Sequence, residues 1–385
     1  MNVLVCPSGF KGSIDPPTAA NCIEAGIMRA LPSAKIRKVP LVDGGEGFAH
    51  ALVAAAGGQM RKAIVTGPVG TPISSFYGVV ELGQSKTAVI EIAAAAGLSL
   101  VPRDCRNPCI TTTFGVGQLI ASALDEGVQR IIVGCGDSGT SDGGAGMLQA
   151  LGARLISRDG TEIPCARGGQ SLMSLESIDL SGLHPRLNEV EIEVACNWKN
   201  VLCGPDGVAY VYGPQKGASP KQTEVLQAAL DIYASACKCI LGRDVSGMPG
   251  SGASGGLGTG LLLLGAMLRP RYEAIMEYFN IEGLFEDCDL VFTAEGGIDY
   301  QTPRGKIPAE VAIRAKKYQI PVIVLAGTIG DEAEVNYDVG INAYASILQR
   351  PSTLEEAIAE AERLLTESAE GVMRMVVVGR KLARW

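Results

Sequence analysis

Fourteen residues, Gly134 to Met147, carry six glycines, two carboxylates (Asp137 and Asp142) and three hydroxyls (Ser138, Thr140 and Ser141). Glycines let backbone N–H groups converge on an anion, a following helix adds its positive end, and a nearby carboxylate can hold a divalent cation. By chemistry this is a phosphate-and-metal loop, with Gly136, Ser138, Gly143 and Gly144 as its anion-facing positions. The same residues also suit a glycine-rich tight turn in which Asp142 or Ser141 caps the helix. No GxxxxGK[ST] is present, and no clean GxGxxG with an acidic residue about twenty positions on.

Other segments share this composition. Pro7-Ser8-Gly9-Phe10-Lys11-Gly12-Ser13 precedes a helix starting near Pro16, so Lys11 and Ser13 suit an anion. Asp43-Gly44-Gly45-Glu46-Gly47 places two carboxylates among glycines at the end of a strand; this suits a metal or a hydroxyl, and equally a bare turn with an Asp cap. Lys216 lies in a polar loop ahead of a long helix. Between Glu295 and Lys306 one loop collects Glu295, Asp299, Thr302, Arg304 and Lys306. The run Thr111-Thr112-Thr113 before a helix can bind a carboxylate or phosphate and equally can merely cap, and with Glu91 it is a candidate for the same cleft as the first loop. With His50 and His184 the only histidines, acid–base work falls to carboxylates or lysine.

The elements that must hold these loops read as α/β. Continuous apolar runs predict buried parallel strands at Val3–Cys6, Arg130–Val133, Asp289–Thr293 and Val322–Ala326. Further strands are expected at Ile36–Leu41, Val190–Cys196 and Ala343–Leu348. Alternating patterns at Ile73–Leu82 and Thr87–Ile92 predict a hairpin of mixed or antiparallel sheet. An amphipathic helix is expected from Pro220. Gly247 to Gly260, with seven glycines, reads as a loop that approaches a ligand or another backbone closely.

At 385 residues the chain suits two domains. A net charge of −8 repels nucleic acid and anionic membranes, so neither is expected as a partner, and an anionic ligand needs local cations. The N-terminus has no signal-peptide pattern and no stretch is long enough to span a bilayer, which makes the cytoplasm the expected location. Eleven scattered cysteines lack metal-site spacing. A homodimer is left open.

Read together, Phe10-Lys11-Gly12-Ser13, Asp43-Gly44-Gly45-Glu46-Gly47, Ser138 with Asp142 to Met147, Gly213 to Ala218, Gly255 to Gly258, and Glu295-Gly296 with Asp299, Gln301, Thr302, Gly305 and Lys306 resemble the bacterial glycerate kinase family of the glyoxylate and glucarate pathway type. The resemblance runs nearly end to end. It implies an α/β protein with a discontinuous Rossmann-like domain of parallel sheet (1–66 and 285–385) and an inserted α/β domain of mixed sheet (67–284). It also implies phosphorylation of D-glycerate by ATP with Mg²⁺, most simply at the 2-hydroxyl. On that resemblance, Lys11, Lys216 and Lys306 supply positive charge. Asp43 or Asp142 serves the acceptor hydroxyl, and Glu295 or Asp299 holds magnesium. Ser13, Glu46, Thr112 and Thr302 are expected around the substrate.

The chain departs from the family where Ser8-Gly9 replaces Asp-Ser, Asn197 replaces Asp, Gly297 replaces Arg, and Asp137 adds a carboxylate. Those changes keep two other readings in view, a kinase for another short hydroxy acid and a catalytically weak binding or regulatory paralogue. A nicotinamide-dependent oxidoreductase would need a dinucleotide loop that the sequence lacks.

Overall fold

The computed structural model describes residues 1–10 and 12–382, so the candidate Lys11 lies outside the described residues. The protein is α/β and forms two compact units: Met1–Asp43 together with the chain from Tyr272 onward, and Gly44–Arg271. The first unit starts with β1 (Asn2–Val5), α1 (Pro16–Ala30) and β2 (Lys35–Lys38). Helix α1 begins where the sequence provides for it. Asp15 accepts the Thr18 amide at 2.7 Å, prolines occupy the first turn, and Ala19, Ala20, Ile23 and Ile27 form the buried stripe.

The second unit contains α2 (Phe48–Ala56), β3 (Gln59–Thr66), β4 (Pro72–Leu82), β5 (Ser85–Glu91), α3 (Ala93–Ala96), α4 (Phe114–Asp125), β6 (Arg130–Gly134) and α5 (Ala145–Ala150). It continues with β7 (Arg154–Ser157), β8 (Leu175–Asp179), β9 (Glu191–Cys196), α6 (Val208–Tyr212), α7 (Pro220–Leu241), α8 (Ala253–Leu263) and β10 (Met267–Pro270). Its main sheet has the order β10-β9-β6-β5-β4-β3, parallel through β5 and antiparallel beyond it, as the alternating hairpin pattern predicts. Strands β7 and β8 form a separate antiparallel pair. Ile90, Ile131, Val133, Leu119, Leu230 and Leu257 belong to this unit's buried core.

Residues 44–66 go with this unit, so its compact limits are 44 and 271 where the sequence suggested 67 and 284. The cause is pairing: β3 runs antiparallel to β4 along its whole length, from Gln59–Val79 to Thr66–Pro72. Strand β3 carries Arg61 and Lys62 and its apolar alternation is weak, which hides it in the sequence. Similarly, the expected loop Gly247–Gly260 becomes helix from Ala253. That helix is interrupted by left-handed Ser254, Gly255 and Gly256, a conformation that glycine makes accessible.

The chain returns to the first unit through α9 (Arg271–Tyr278), β11 (Leu290–Ile298), α10 (Ile307–Lys317), β12 (Val322–Ile329), β13 (Ala343–Ser346), α11 (Leu354–Ala359) and α12 (Ala361–Leu382). Its five strands are all parallel in the order β13-β12-β11-β1-β2. The strand order therefore reverses direction between β1 and β11, which is where open α/β sheets leave a crevice beyond their carboxyl ends. Helix α12 buries Leu364, Leu365, Ala369 and Met373, and it packs along α1.

Gly26 allows that packing. A Cβ there would lie 2.3 Å from the Thr366 carbonyl and 2.7 Å from the Ala369 Cβ. In an exposed helix interior Gly→Ala gains about 1 kcal/mol. Here overpacking reverses the sign, and Gly26→Ala is expected to lower stability by about 1–3 kcal/mol in denaturant unfolding.

Candidate active site

The glycine-rich loop after β6 is organised by its own anion. Asp142 is 1% exposed, and its carboxylate accepts hydrogen bonds from the Thr113 amide (2.8 Å), the Thr113 hydroxyl (2.9 Å), and the Gly144 and Gly146 amides (3.1 and 3.3 Å). The Thr112 hydroxyl adds a longer contact at 3.4 Å. Burial raises the Asp142 pKa above the ordinary carboxylate value, against these donors, which favour its charge. The cap of α5 is Gly144, neither Asp142 nor Ser141; Asp142 instead accepts amides at the α5 start from two residues ahead of that cap. Its oxygens are engaged, so it does not stand ready to take a substrate proton.

Gly143 and Gly144 are likewise committed. The Gly143 amide donates to the Gly255 carbonyl at 3.1 Å and that of Gly144 goes to Asp142. A Cβ on Gly144 would meet the Gly260 Cα at 3.1 Å, and one on Gly255 would lie 2.0 Å from the Thr140 carbonyl. The glycines expected to face a phosphate instead let two backbones touch. Gly136 answers a similar demand, since its Cβ would lie 2.6 Å from the Gly45 amide nitrogen. Thr112 is wholly buried, its hydroxyl accepting the Phe114 amide at 3.1 Å.

Lys216 and Ser138 remain. Lys216 follows α6 and is 3% exposed; its ammonium donates to the Ser138 hydroxyl at 2.9 Å and to the Thr140 carbonyl at 2.6 Å. An ammonium has three hydrogens, so one stays without a protein acceptor among the described residues. The Ser138 hydroxyl, having accepted from the lysine, keeps its own hydrogen to donate. Burial pushes the Lys216 pKa down to about 7, while Asp142 pulls it upward. Beside it, the buried Thr140 and Ser141 hydroxyls have no hydrogen-bond partner among the described residues.

The acidic turn before α2 is held at two points. The Glu46 amide donates to the Asp137 carboxylate at 3.1 Å, and Asp137 itself adopts φ 50, unusual for a residue with a side chain. Buried Glu91, at the end of β5, accepts the Gly47 and Ala49 amides at 3.3 and 2.8 Å. The Glu46 carboxylate accepts from the Ser99 hydroxyl, a partner that no motif marked.

In the first unit the β11 loop brings its expected members together. Glu295 is 8% exposed and accepts the Thr302 hydroxyl at 3.1 Å. Lys306 lies 3.8 Å from Glu295 and 3.3 Å from Asp299, and it donates to the Gly297 carbonyl at 3.0 Å. Burial pushes Glu295 up to about 7 in spite of Lys306 and Thr302. Asp299 is also raised by burial, but the Gln301 amide and Lys306 outweigh this and leave it below its ordinary value. Asp299 Oδ2 has no protein hydrogen bond among the described residues, and Glu295 Oε2 meets only the distant ammonium. Two hard carboxylates with unclaimed oxygens fit magnesium, which takes one or two protein carboxylates and keeps waters or phosphate oxygens for the rest. Ser8 donates from its amide and hydroxyl to the Ala294 carbonyl, and the Ser13 hydroxyl is buried without a partner among the described residues. Asp43 is exposed at the last residue of this unit's first segment.

Comparison with known proteins is decisive about kinship. The glycerate kinase family model matches residues 3–377. The chain belongs to the glycerate kinase family. It is 44% identical to a Bacillus subtilis glycerate kinase, covering 99% of each chain, and 43% identical to the Escherichia coli glycerate 2-kinase, covering all of both. A solved chain from Salmonella typhimurium LT2 with a provisional glycerate kinase 2 designation superposes with a TM-score of 0.85 at 42% identity, over 99% of each. As a member of this family the protein is an enzyme, a phosphotransferase with an alcohol group as acceptor. No helix among the described residues is long and apolar enough to cross a membrane.

The depressed Lys216 pKa predicts a linkage. Between about pH 7 and 10 the unfolded chain holds a proton at this lysine that the folded chain lacks, so stability from this group rises with pH. Native protein is expected to gain unfolding free energy relative to Lys216→Met as pH climbs from 7 to 10, by about 1 kcal/mol per unit. Parallel denaturant titrations at several pH values measure the difference.

Proposed function

We propose that the protein transfers the terminal phosphoryl group of ATP to D-glycerate in the cytoplasm, with Mg²⁺, forming 2-phosphoglycerate and ADP. The observation that carries the proposal is Lys216, buried with an uncommitted hydrogen beside the Ser138 hydroxyl. Near-full-length relatives named glycerate kinase and glycerate 2-kinase support this choice of acceptor and position.

In this reading Lys216 and Ser138 donate to phosphate oxygens. A buried, already oriented ammonium loses little water when it meets a polyanion, and the surrounding low dielectric strengthens the attraction. Glu295 and Asp299 hold magnesium, which when bound neutralises charge on the phosphates. Lys306 and Thr302 keep those carboxylates oriented, and Ser13 contributes a hydroxyl in the same unit.

Asp43 is assigned to the acceptor hydroxyl, because Asp142 is consumed by its donors. It orients the alcohol and takes its proton as the new O–P bond forms and the bond to the ADP oxygen breaks. Glu46 is placed at the substrate as a polar contact on the same acidic turn.

Coupled ADP release, with D-glycerate tested against other short hydroxy acids, checks the reading; ³¹P NMR identifies the product. D-glycerate is expected to be the preferred acceptor and 2-phosphoglycerate the product. Turnover confined to another acid would show that the changes at Ser8, Asn197 and Gly297 have altered specificity. No turnover with any acid would support the regulatory reading. Glu295→Gln and Asp299→Asn are each expected to raise the magnesium concentration for half-maximal rate at least tenfold. Unchanged magnesium dependence in both would remove these residues from the metal.

A further inference from the structure

The acidic turn that carries Glu46 is held by a residue that no motif assigns. Glu91 ends β5, 2% exposed, and its two oxygens take different amides: Oε1 that of Gly47 at 3.3 Å and Oε2 that of Ala49 at 2.8 Å. These amides belong to the left-handed Gly47 cap (φ 86) and the first turn of α2, whose own cap contributes no side-chain hydrogen bond. Helix starts leave such N–H groups without partners, and a carboxylate from a neighbouring strand satisfies them. Two further tethers act on Glu46 itself: Asp137 accepts its amide, and the Ser99 hydroxyl donates to its carboxylate.

We propose that Glu91 is a positioning residue for the acid substrate: its ionised carboxylate clamps the Gly45–Ala49 turn and thereby fixes Glu46. This rests on the placement of Glu46 at the substrate proposed above. The clamp works in one protonation state. An ionised carboxylate accepts strongly with both oxygens, whereas in the neutral acid the oxygen that carries the hydrogen is a much weaker acceptor and holds its amide less well.

The charges facing Glu91 are those of Glu46 on the turn and Asp137 on the loop after β6, both negative. Burial, aided by these two, pushes Glu91 up to about 7 against the Ala49 and Gly47 amides. Below that pH the group is neutral and the turn loosens; above it both amides are held.

The test compares native enzyme, Glu91→Gln and Asp137→Asn. Glutamine keeps the shape and one acceptor but cannot ionise. Asparagine at 137 keeps the acceptor for the Glu46 amide and removes one negative charge facing Glu91. For native enzyme kcat/KM for D-glycerate is expected to fall on acidification from pH 8 to 6, through a rise in KM. Glu91→Gln is expected to raise that KM about tenfold at pH 8, to leave KM for ATP within twofold, and to abolish the acid limb. Asp137→Asn is expected to move the limb to lower pH. A limb that persists unshifted in Glu91→Gln, or a native KM for glycerate in that variant, overturns the proposal while leaving the kinase reading intact. Absence of native turnover sinks the substrate reading instead, and amide exchange of residues 44–56, read by mass spectrometry, then decides the clamp. After correction for intrinsic rates, native protein should exchange faster there at pH 6 than at pH 8, and Glu91→Gln equally fast at both. Equal native protection at the two pH values overturns the clamp.

Discussion

The inserted unit's loops depend on one buried charge. Taken out of water, the Asp142 carboxylate would cost several kcal/mol if left unpaired. Hydroxyl and amide donors from Thr113, Gly144 and Gly146 offset that cost, and in doing so they tie the start of α4 to the start of α5. The same charge acts on Lys216, favouring an ammonium that burial disfavours. A carboxylate that a sequence reader takes for a catalyst thus provides electrostatic support for a cation. Moving it would disturb the loop that presents Ser138 as well.

The first unit solves a comparable problem locally. Glu295, Asp299, Thr302 and Lys306 lie within twelve residues, on the end of β11 and the short turn that follows, so strand geometry and one tight loop bring them together. Lys306 and Thr302 reach carboxylates that also retain open lone pairs. Such a group is legible in a sequence because its spacing is its geometry. The group around Asp142 is not, because its decisive donors come from a segment about thirty residues earlier.

The same distinction explains where sequence reasoning held and where it failed. Parallel strands such as β1, β6 and β12 are buried on both faces and announce themselves as unbroken apolar runs. Strand β3 has exposed and half-buried residues along most of its length, so its membership in the sheet depends on β4 rather than on its own pattern. Glycine was the hardest residue to read. Six glycines in one loop suggest a cradle for phosphate, yet Gly143 and Gly144 are needed where the loop meets Gly255 and Gly260. Both uses require the missing Cβ, and only the position of the neighbouring backbone separates them. The buried Lys216 gave the opposite difficulty: a lone loop lysine carries no sign of burial until α6 and the β6 loop are assembled around it.

A protein of net charge −8 that handles anionic substrates cannot rely on its average field. Its cations must be local and already placed, and burial gives such placement at a definite cost. Lys216 near its depressed pKa is divided between ammonium and amine at neutral pH, which limits the penalty for keeping it inside. An incoming polyanion restores the charged form, because an opposite charge within a few ångströms raises a lysine pKa. Under the kinase reading, nucleotide binding above pH 7 therefore takes up a proton at Lys216. Part of the binding energy goes into completing a charge that the empty fold holds incompletely. An exposed lysine would be charged throughout and cheaper to keep, but it would be screened by water and free in orientation. The buried one gives a weaker charge at rest and a stronger, directed one when the phosphate arrives.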